Sequence, residues 1–341
     1  MRKAMNTIHV LDCTLRDGGY VNNWEFGFQN AREMTDLIAK TGVSYVELGF
    51  IGNYPDIEGN LRFSRMESLC KQFIPTRPST PLAALTYVEG YPVTNIPKRS
   101  DKTVDMVRVI FWKRNFDEGL EYCKELANRG YEVSVQLART DQFSIDEIGG
   151  YLYRLNEAHP VAVYIADSFG TYSKEKLISY AEQYDKNLAP NVRMGYHAHN
   201  NLQQAFLNAV TFAEHEWHHE LMIDASVLGM GRGAGNLNLE VFLNYMNNTL
   251  GYNFDLNPFN IVVSKYLNPI YEKLPWGYSM PFFLAAISGR NHSYVKYLID
   301  KGVSEEDMDK IFKKMEAEDT GIVFKPEVCD QIMKELNIQA K

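Results

Sequence analysis

Cysteine is scarce in this chain. Only Cys13, Cys70, Cys123 and Cys329 occur in 341 residues, and no two of them form a C-x-x-C pair. A disulfide framework and a thiolate zinc cluster are thereby excluded, and a reducing compartment is expected. Long apolar runs are missing too: no stretch approaches the ~20 residues that span a bilayer. The opening Met-Arg-Lys-Ala-Met-Asn-Thr has no apolar core of the signal-peptide kind. A cytoplasmic protein with no membrane contact is the expectation. Positive charge is not in excess. Lys and Arg number 35 against 43 Asp and Glu, a formal net charge of −8, so no nucleic-acid surface is expected, although a local basic pocket is compatible with that balance. No Gly-x-Gly-x-x-Gly follows the first strand-like run, and no Gly-Lys-Ser/Thr follows the later glycines. The signatures of dinucleotide and P-loop binding are therefore absent.

What is present is an ordinary globular composition, 45% hydrophobic and 23% charged, with material for a large core. Eight short apolar, β-branched runs recur along the first three quarters: Ile8–Cys13, Val43–Phe50, Pro81–Val88, Val104–Phe111, Tyr131–Leu137, Val161–Ala166, Val192–Tyr196 and Leu221–Ser226. Helical spacing fills the intervals, as in Ala31, Met34, Leu37 and Ile38, or Leu120, Cys123, Leu126 and Ala127. Alternation of this kind predicts parallel βα units, and eight of them favour a closed TIM (β/α)8 barrel over an open doubly wound sheet. The pattern stops near Asn253. Residues 255–341 read as helical and are punctuated by Pro258, Pro269, Pro275 and Pro281. The expected organisation is a barrel domain over residues 1–254 and a small helical C-terminal domain over 255–341.

Three segments carry candidate chemistry. Arg16 and Asp17 stand after the first strand, before Gly18 and Gly19. A carboxylate there can hold a divalent ion, and the guanidinium can hold oxyanion charge beside it; the bland alternatives are a turn carboxylate and a surface ion pair. His197 and His199, at i and i+2, share one face at the end of the seventh run. Taken alone, they read as satisfied structural histidines. At the C-terminal mouth of one barrel, the two imidazoles and Asp17 make a 2-His-1-carboxylate set with open positions. Asn236 ends the glycine-rich stretch from Gly229 and can either offer an amide oxygen to a hard cation or cap the next helix. Glu47, inside an apolar second strand, needs a partner, and Arg16 one strand over is the natural one. Asp167 and Ser168 end the sixth run and can bind a substrate hydroxyl or cap the following helix. Arg108 and Arg139 are weaker anchors for a carboxylate or phosphate.

Taken together, Thr14-Leu15-Arg16-Asp17-Gly18, His197-Ala198-His199-Asn200 and Gly233-Ala234-Gly235-Asn236-Leu237 resemble the DRE-TIM metallolyase superfamily (HMG-CoA lyase-like), from about residue 7 to residue 250. The glycine- and alanine-rich run and the helical extension look most like the 4-hydroxy-2-oxovalerate aldolase branch. The resemblance implies a divalent metal, Mn²⁺ or Mg²⁺, on Asp17, His197, His199 and Asn236. It implies an enolate-stabilising role for Arg16, supported by Glu47, and cleavage of a small 4-hydroxy-2-oxo acid to pyruvate and an aldehyde. Two other readings stay open. One is a Claisen-type acyl-CoA condensing synthase, although the Gly-Glu-Arg usual in synthases is missing here. The other is a non-catalytic barrel acting as a binding subunit. The aldolase branch pairs with an aldehyde dehydrogenase through its helical domain. No decisive motif for that partner stands in this C-terminal part, and a homodimer is the better expectation.

One departure matters. The aldolase branch carries a histidine three residues after the metal aspartate, where this chain has Tyr20. A phenol with an ordinary pKa of ~10 is a poor base at neutral pH. Tyr20 therefore positions substrate, or has a lowered pKa, or leaves the proton to a metal-bound hydroxide, Tyr278 or His292. His292 beside Asn291 otherwise reads as a helix-surface residue. Tyr278 is also a candidate substrate contact.

Overall fold

The computed structural model describes residues 6–339; residues 1–5, on which the leader reading rested, and residues 340–341 lie outside that range. Eight parallel strands close into a barrel: β1 (Ile8–Asp12), β2 (Tyr45–Ile51), β4 (Leu82–Tyr87), β5 (Met106–Phe111), β6 (Glu132–Leu137), β7 (Ala162–Asp167), β8 (Arg193–Ala198) and β9 (Leu221–Ala225). A two-residue strand β3 (Arg62–Phe63) pairs only with β2, and the β1–β2 pairing completes the circle. Each barrel strand falls on one of the eight apolar runs. Strands buried on both faces need side chains that pack inward and outward alike, which is why the runs are nearly continuous in hydrophobicity.

Helices return between the strands with their apolar faces on the barrel. Helix Phe28–Lys40 buries Ala31, Met34, Thr35, Ile38 and Ala39, the spacing of a single helical stripe. Helix Ile145–Leu155 starts at a capping box in which Ser144 and Glu147 satisfy each other's backbone N–H groups.

The barrel interior is layered. Its lower end is apolar, with Leu11, Tyr45, Ala83, Met106, Ala162 and Met222 in one cluster that also includes Tyr164. Tyr164 fills the centre, and Gly195 makes room for it: a Cβ at residue 195 would stand 2.4 Å from the Tyr164 ring. Above this layer the interior turns polar, with Glu47, Arg108 and Asp224 all buried.

Beyond β9, residues 258–271 form a helical run with a widened π turn over Val262–Leu267. Phe259, Val262, Tyr266 and Leu267 join the barrel's own core, although the sequence pattern groups them with the C-terminal part. A separate core starts at Ala285 and gathers Tyr294, Leu298, Ile311, Phe312, Met315 and Ile332 from helices Met280–Ile287, Ser293–Asp300, Glu305–Ala317 and Pro326–Glu335. Trp276 ties the connection to the barrel mouth by donating its indole N–H to the carbonyl of Leu228, 3.0 Å away. Among the described residues, no helix is long and apolar enough to cross a membrane.

Candidate active site

The loops after β1, β8 and β9 meet at the C-terminal end of the barrel. There Asp17, His197 and His199 bring one ligand atom each to within 4.8 Å of one another, all three residues being buried. The tautomers are set from behind. His197 Nδ1 faces Asp224 Oδ2 at 2.9 Å, and His199 Nδ1 faces the carbonyl oxygen of Asp167 at 3.0 Å. Acceptors on both Nδ1 atoms place the protons there and leave Nε2 lone pairs free. His199 Nε2 is buried and has no hydrogen-bond partner. Asn236 donates from Nδ2 to Asp17 Oδ2 at 2.8 Å, and its buried Oδ1 is likewise unpartnered. The side chain points into the site and does not cap the next helix, which starts at Leu239 after Asn238. Gly231 allows this, because a Cβ there would stand 2.4 Å from Asn236 Nδ2.

Charge in the site is arranged to keep the donors bare. Burial alone would raise Asp17, but Arg16 first, then His199 and His197, hold its carboxyl below the usual carboxylate range. Burial, with His197 adding to it, pulls His199 down to about 3 against the opposing pull of Asp17, so its imidazole is neutral at physiological pH. Arg16 is 4% exposed, pairs with Asp17, and donates from Nε to Glu47 Oε2 at 2.7 Å. Glu47 thus supports Arg16, as its place in the second strand suggested.

The remaining sequence candidates separate. Ser168 lines the cavity above the ligand atoms, and its hydroxyl accepts the backbone N–H of Arg139 at 3.0 Å. The carboxylate of Asp167 does not line that cavity. It accepts the N–H groups of Thr171 and Tyr172 at 2.9 and 3.0 Å within the turn after β7, leaves the cap of the following helix to Ser173, and reaches the site only through its backbone carbonyl. Tyr278 is 53% exposed, lines neither that cavity nor the larger one beside it, and packs edge-on against Phe283. His292 is no surface residue: it is 3% exposed, lines the larger cavity beside this one, has its ring centroid 5.9 Å from that of His199, and neither ring nitrogen has a partner. Burial, together with Arg232 and His199, lowers its pKa well below the histidine norm. The Tyr20 hydroxyl shares a 3.0 Å hydrogen bond with that of Tyr87, in an aromatic wall with Phe50 and Trp24. Arg108 is fully buried between Glu47 and Asp224, which rules it out as a substrate anchor.

The cavity has a volume of about 250 Å³ and takes Asn291, Ile322 and Val323 from the C-terminal part as its cover. The family model for HMGL-like proteins matches residues 93–263, half of the chain. The chain belongs to the HMGL-like family. Among curated relatives, an oxaloacetate decarboxylase of Mycobacterium tuberculosis is 26% identical over 234 residues, 68% of this chain and 67% of that protein. A 4-hydroxy-2-oxovalerate aldolase of Bacillus cereus is 23% identical over 270 residues, 76% of this chain and 75% of that one. Among solved structures, an N-terminal domain from Bacteroides vulgatus matches with a TM-score of 0.72 at 26% identity, over 85% of this chain and 96% of that one.

Two residues of this HMGL-like site escaped the sequence reading. Asp224 sits in Leu221-Met222-Ile223-Asp224-Ala225, an acid inside an apolar strand, the same signal that singled out Glu47. Arg232 lies within the glycine-rich loop. Its backbone N–H approaches Asp17 Oδ2 at 3.3 Å, and its guanidinium lies 5.3 Å from the Tyr20 ring centre. Nothing in the loop sequence told which way that side chain would turn.

Proposed function

We propose that this protein is a divalent-metal-dependent lyase that cleaves a 4-hydroxy-2-oxo acid to pyruvate and an aldehyde. The observation that carries the reading is the buried set of Asp17, His197 and His199, with free lone pairs on one side and the guanidinium of Arg16 on the other. The donor set fits a hard ion. One carboxylate, two imidazoles and the unpartnered amide oxygen of Asn236 suit Mn²⁺ or Mg²⁺ better than a thiophilic metal. When bound, such an ion supplies Lewis-acid polarisation of the substrate's keto group.

The chain's own residues do the rest. Arg16, held by Glu47, donates to the keto oxygen as charge collects there. His292, neutral and unpartnered, faces the adjoining larger cavity beside the His199 ring and accepts the proton of a C4 hydroxyl that lies where the two cavities meet. The C3–C4 bond then breaks, its electron pair forms the enolate, and the aldehyde departs. The same imidazole returns its proton to C3, giving the methyl group of pyruvate. Tyr20, tied to Tyr87, shapes the wall along which the aldehyde half lies. Asn291, Ile322 and Val323 keep bulk water from the enolate.

A second reading is favoured by Tyr20 itself and by the oxaloacetate decarboxylase among the relatives. Loss of CO₂ from oxaloacetate gives the same enolate and needs no base at C4, so the histidine that Tyr20 replaces would not be missed. Incubating the Mn²⁺- and Mg²⁺-loaded protein separately with 4-hydroxy-2-oxo acids and with oxaloacetate decides between them. Pyruvate with an equivalent of aldehyde supports the aldolase. Pyruvate with CO₂ from oxaloacetate alone overturns it.

A further inference from the structure

Four arginines line the reaction cavity, and three of them are neutralised. Arg16 pairs with Asp17 and Glu47, Arg114 with Glu89, and Arg139 with Asp141. Arg232 is the exception: among the described residues no carboxylate pairs with it, and its guanidinium donates to the Ser293 hydroxyl at 3.0 Å and the Asn291 amide oxygen at 3.5 Å and lies over the Tyr20 ring, all neutral partners. A guanidinium with neutral partners in a partly buried place keeps most of its capacity for an anion.

Arg232 and Tyr20 also line a second, larger cavity of about 670 Å³ between the barrel mouth and the C-terminal helices. Its walls are apolar, with Val21, Trp276, Phe282 and Phe324. Lys273 and Lys296 stand exposed around it, and neither forms an ion pair among the described residues. Asp300 is the one acid in the lining, so three cations face one anion in a chain whose net charge is −8. An apolar cavity lined by a bare guanidinium and two unpaired lysines suits an amphiphile with a charged end.

We propose that the second cavity takes the aldehyde half of the substrate, and that this half is an extended chain ending in an anion, a carboxylate or a phosphate ester. The assignment rests on the oxo-acid lyase reading, since it uses the second cavity for the fragment that leaves. Tyr20 at the junction fits it, because an aromatic wall guides a carbon chain without consuming its charge.

Kinetics on chain-matched substrates tests this. The wild-type protein is assayed for pyruvate release from 4-hydroxy-2-oxoheptanoate, from the corresponding heptanedioate, and from the analogue bearing a terminal phosphate ester. A kcat/KM for one of the two charged tails above that for the neutral tail by about tenfold or more is expected, and which one wins identifies the anion. That preference should fall about tenfold in the double variant Lys273→Gln/Lys296→Gln, whose exposed positions leave the fold alone, and should vanish in Arg232→Gln. Equal use of neutral and charged tails by the wild type overturns the proposal while leaving the lyase reading intact. Should none of the three release pyruvate, the aldolase reading falls for these chains while the decarboxylase reading stands, and calorimetry on the full chain decides the cavity. Butyl phosphate or glutarate binding that weakens in the double variant supports an anion site. Binding no tighter than that of butanol refutes it.

Discussion

Arg108 and Asp224 form an ion pair at the centre of the barrel, where neither side chain reaches solvent. The pair is part of a longer run. Arg108 also donates to Glu47 at 2.9 Å, Glu47 accepts from Arg16 at 2.7 Å, and Asp224 faces His197 at 2.9 Å. The cation proposed to hold the enolate and the histidine proposed to hold the metal are thus linked through three buried charges. Removing the middle one leaves two buried carboxylates short of their counter-charge. Arg108→Met is expected to cost about 3–5 kcal/mol, read as a lowered urea midpoint at constant slope. A midpoint within error of the wild type would show that the run is not coupled to stability.

Asp17 is the shared partner of Arg16 and Asn236 and the carboxylate of the donor set. Asp17→Ala should bind no stoichiometric Mn²⁺ after dialysis and should release no pyruvate. Undiminished turnover of that variant in chelator-treated buffer would remove the metal from the reaction.

Two of the candidate proton acceptors, His292 and Tyr20, are separable. His292→Gln should lower kcat about 10²–10⁴-fold, while Tyr20→Phe, which keeps the aromatic wall, should lower it less than about tenfold. Tyr278→Ala should change neither kcat nor KM, since Tyr278 stands outside both cavities. A larger loss in Tyr20→Phe than in His292→Gln would transfer the proton to the phenol.

Asp12 gives the chain a pH signature unrelated to catalysis. Burial raises its carboxyl from 3.8 to about 7, against hydrogen bonds from Thr14. The folded chain therefore keeps a proton that the unfolded chain releases. Its stability contribution is full below about pH 4 and is lost as pH rises through 7. Between pH 5 and pH 8 the urea midpoint of the wild type should fall relative to that of Asp12→Asn. A constant difference across that range would mean that Asp12 is ionised in the fold.

The barrel was legible because its strands are buried on both faces and so spell themselves out as apolar runs. The site was legible where chemistry is encoded in spacing: His197 and His199 two apart on one strand, Arg16 and Asp17 adjacent at a strand end. It was not legible where the outcome depends on the path of a loop. Asn236 as cap or ligand, Asp167 as helix cap or substrate contact (it became neither), and the direction of Arg232 all follow from how Gly229–Asn236 and the turn after β7 lie in space. His292 looked like a surface residue because its helical neighbours are polar. Only the docking of the C-terminal helices over the mouth buries it. Residues 258–271 show the same limit, since an amphipathic stripe does not say which core it faces.

The linked run through the barrel centre has a consequence for how such a protein can change over time. Arg16, Glu47, Arg108, Asp224 and His197 come from five different strands or strand ends, yet each depends on the next for its charge balance. None can change alone without stranding a neighbour, so the five are expected to vary together if they vary at all. The rim residues Tyr20, Arg232, Lys273 and Lys296 carry no such obligation. Diversification of substrate in relatives of this chain should therefore be written at the rim, over an interior that stays the same.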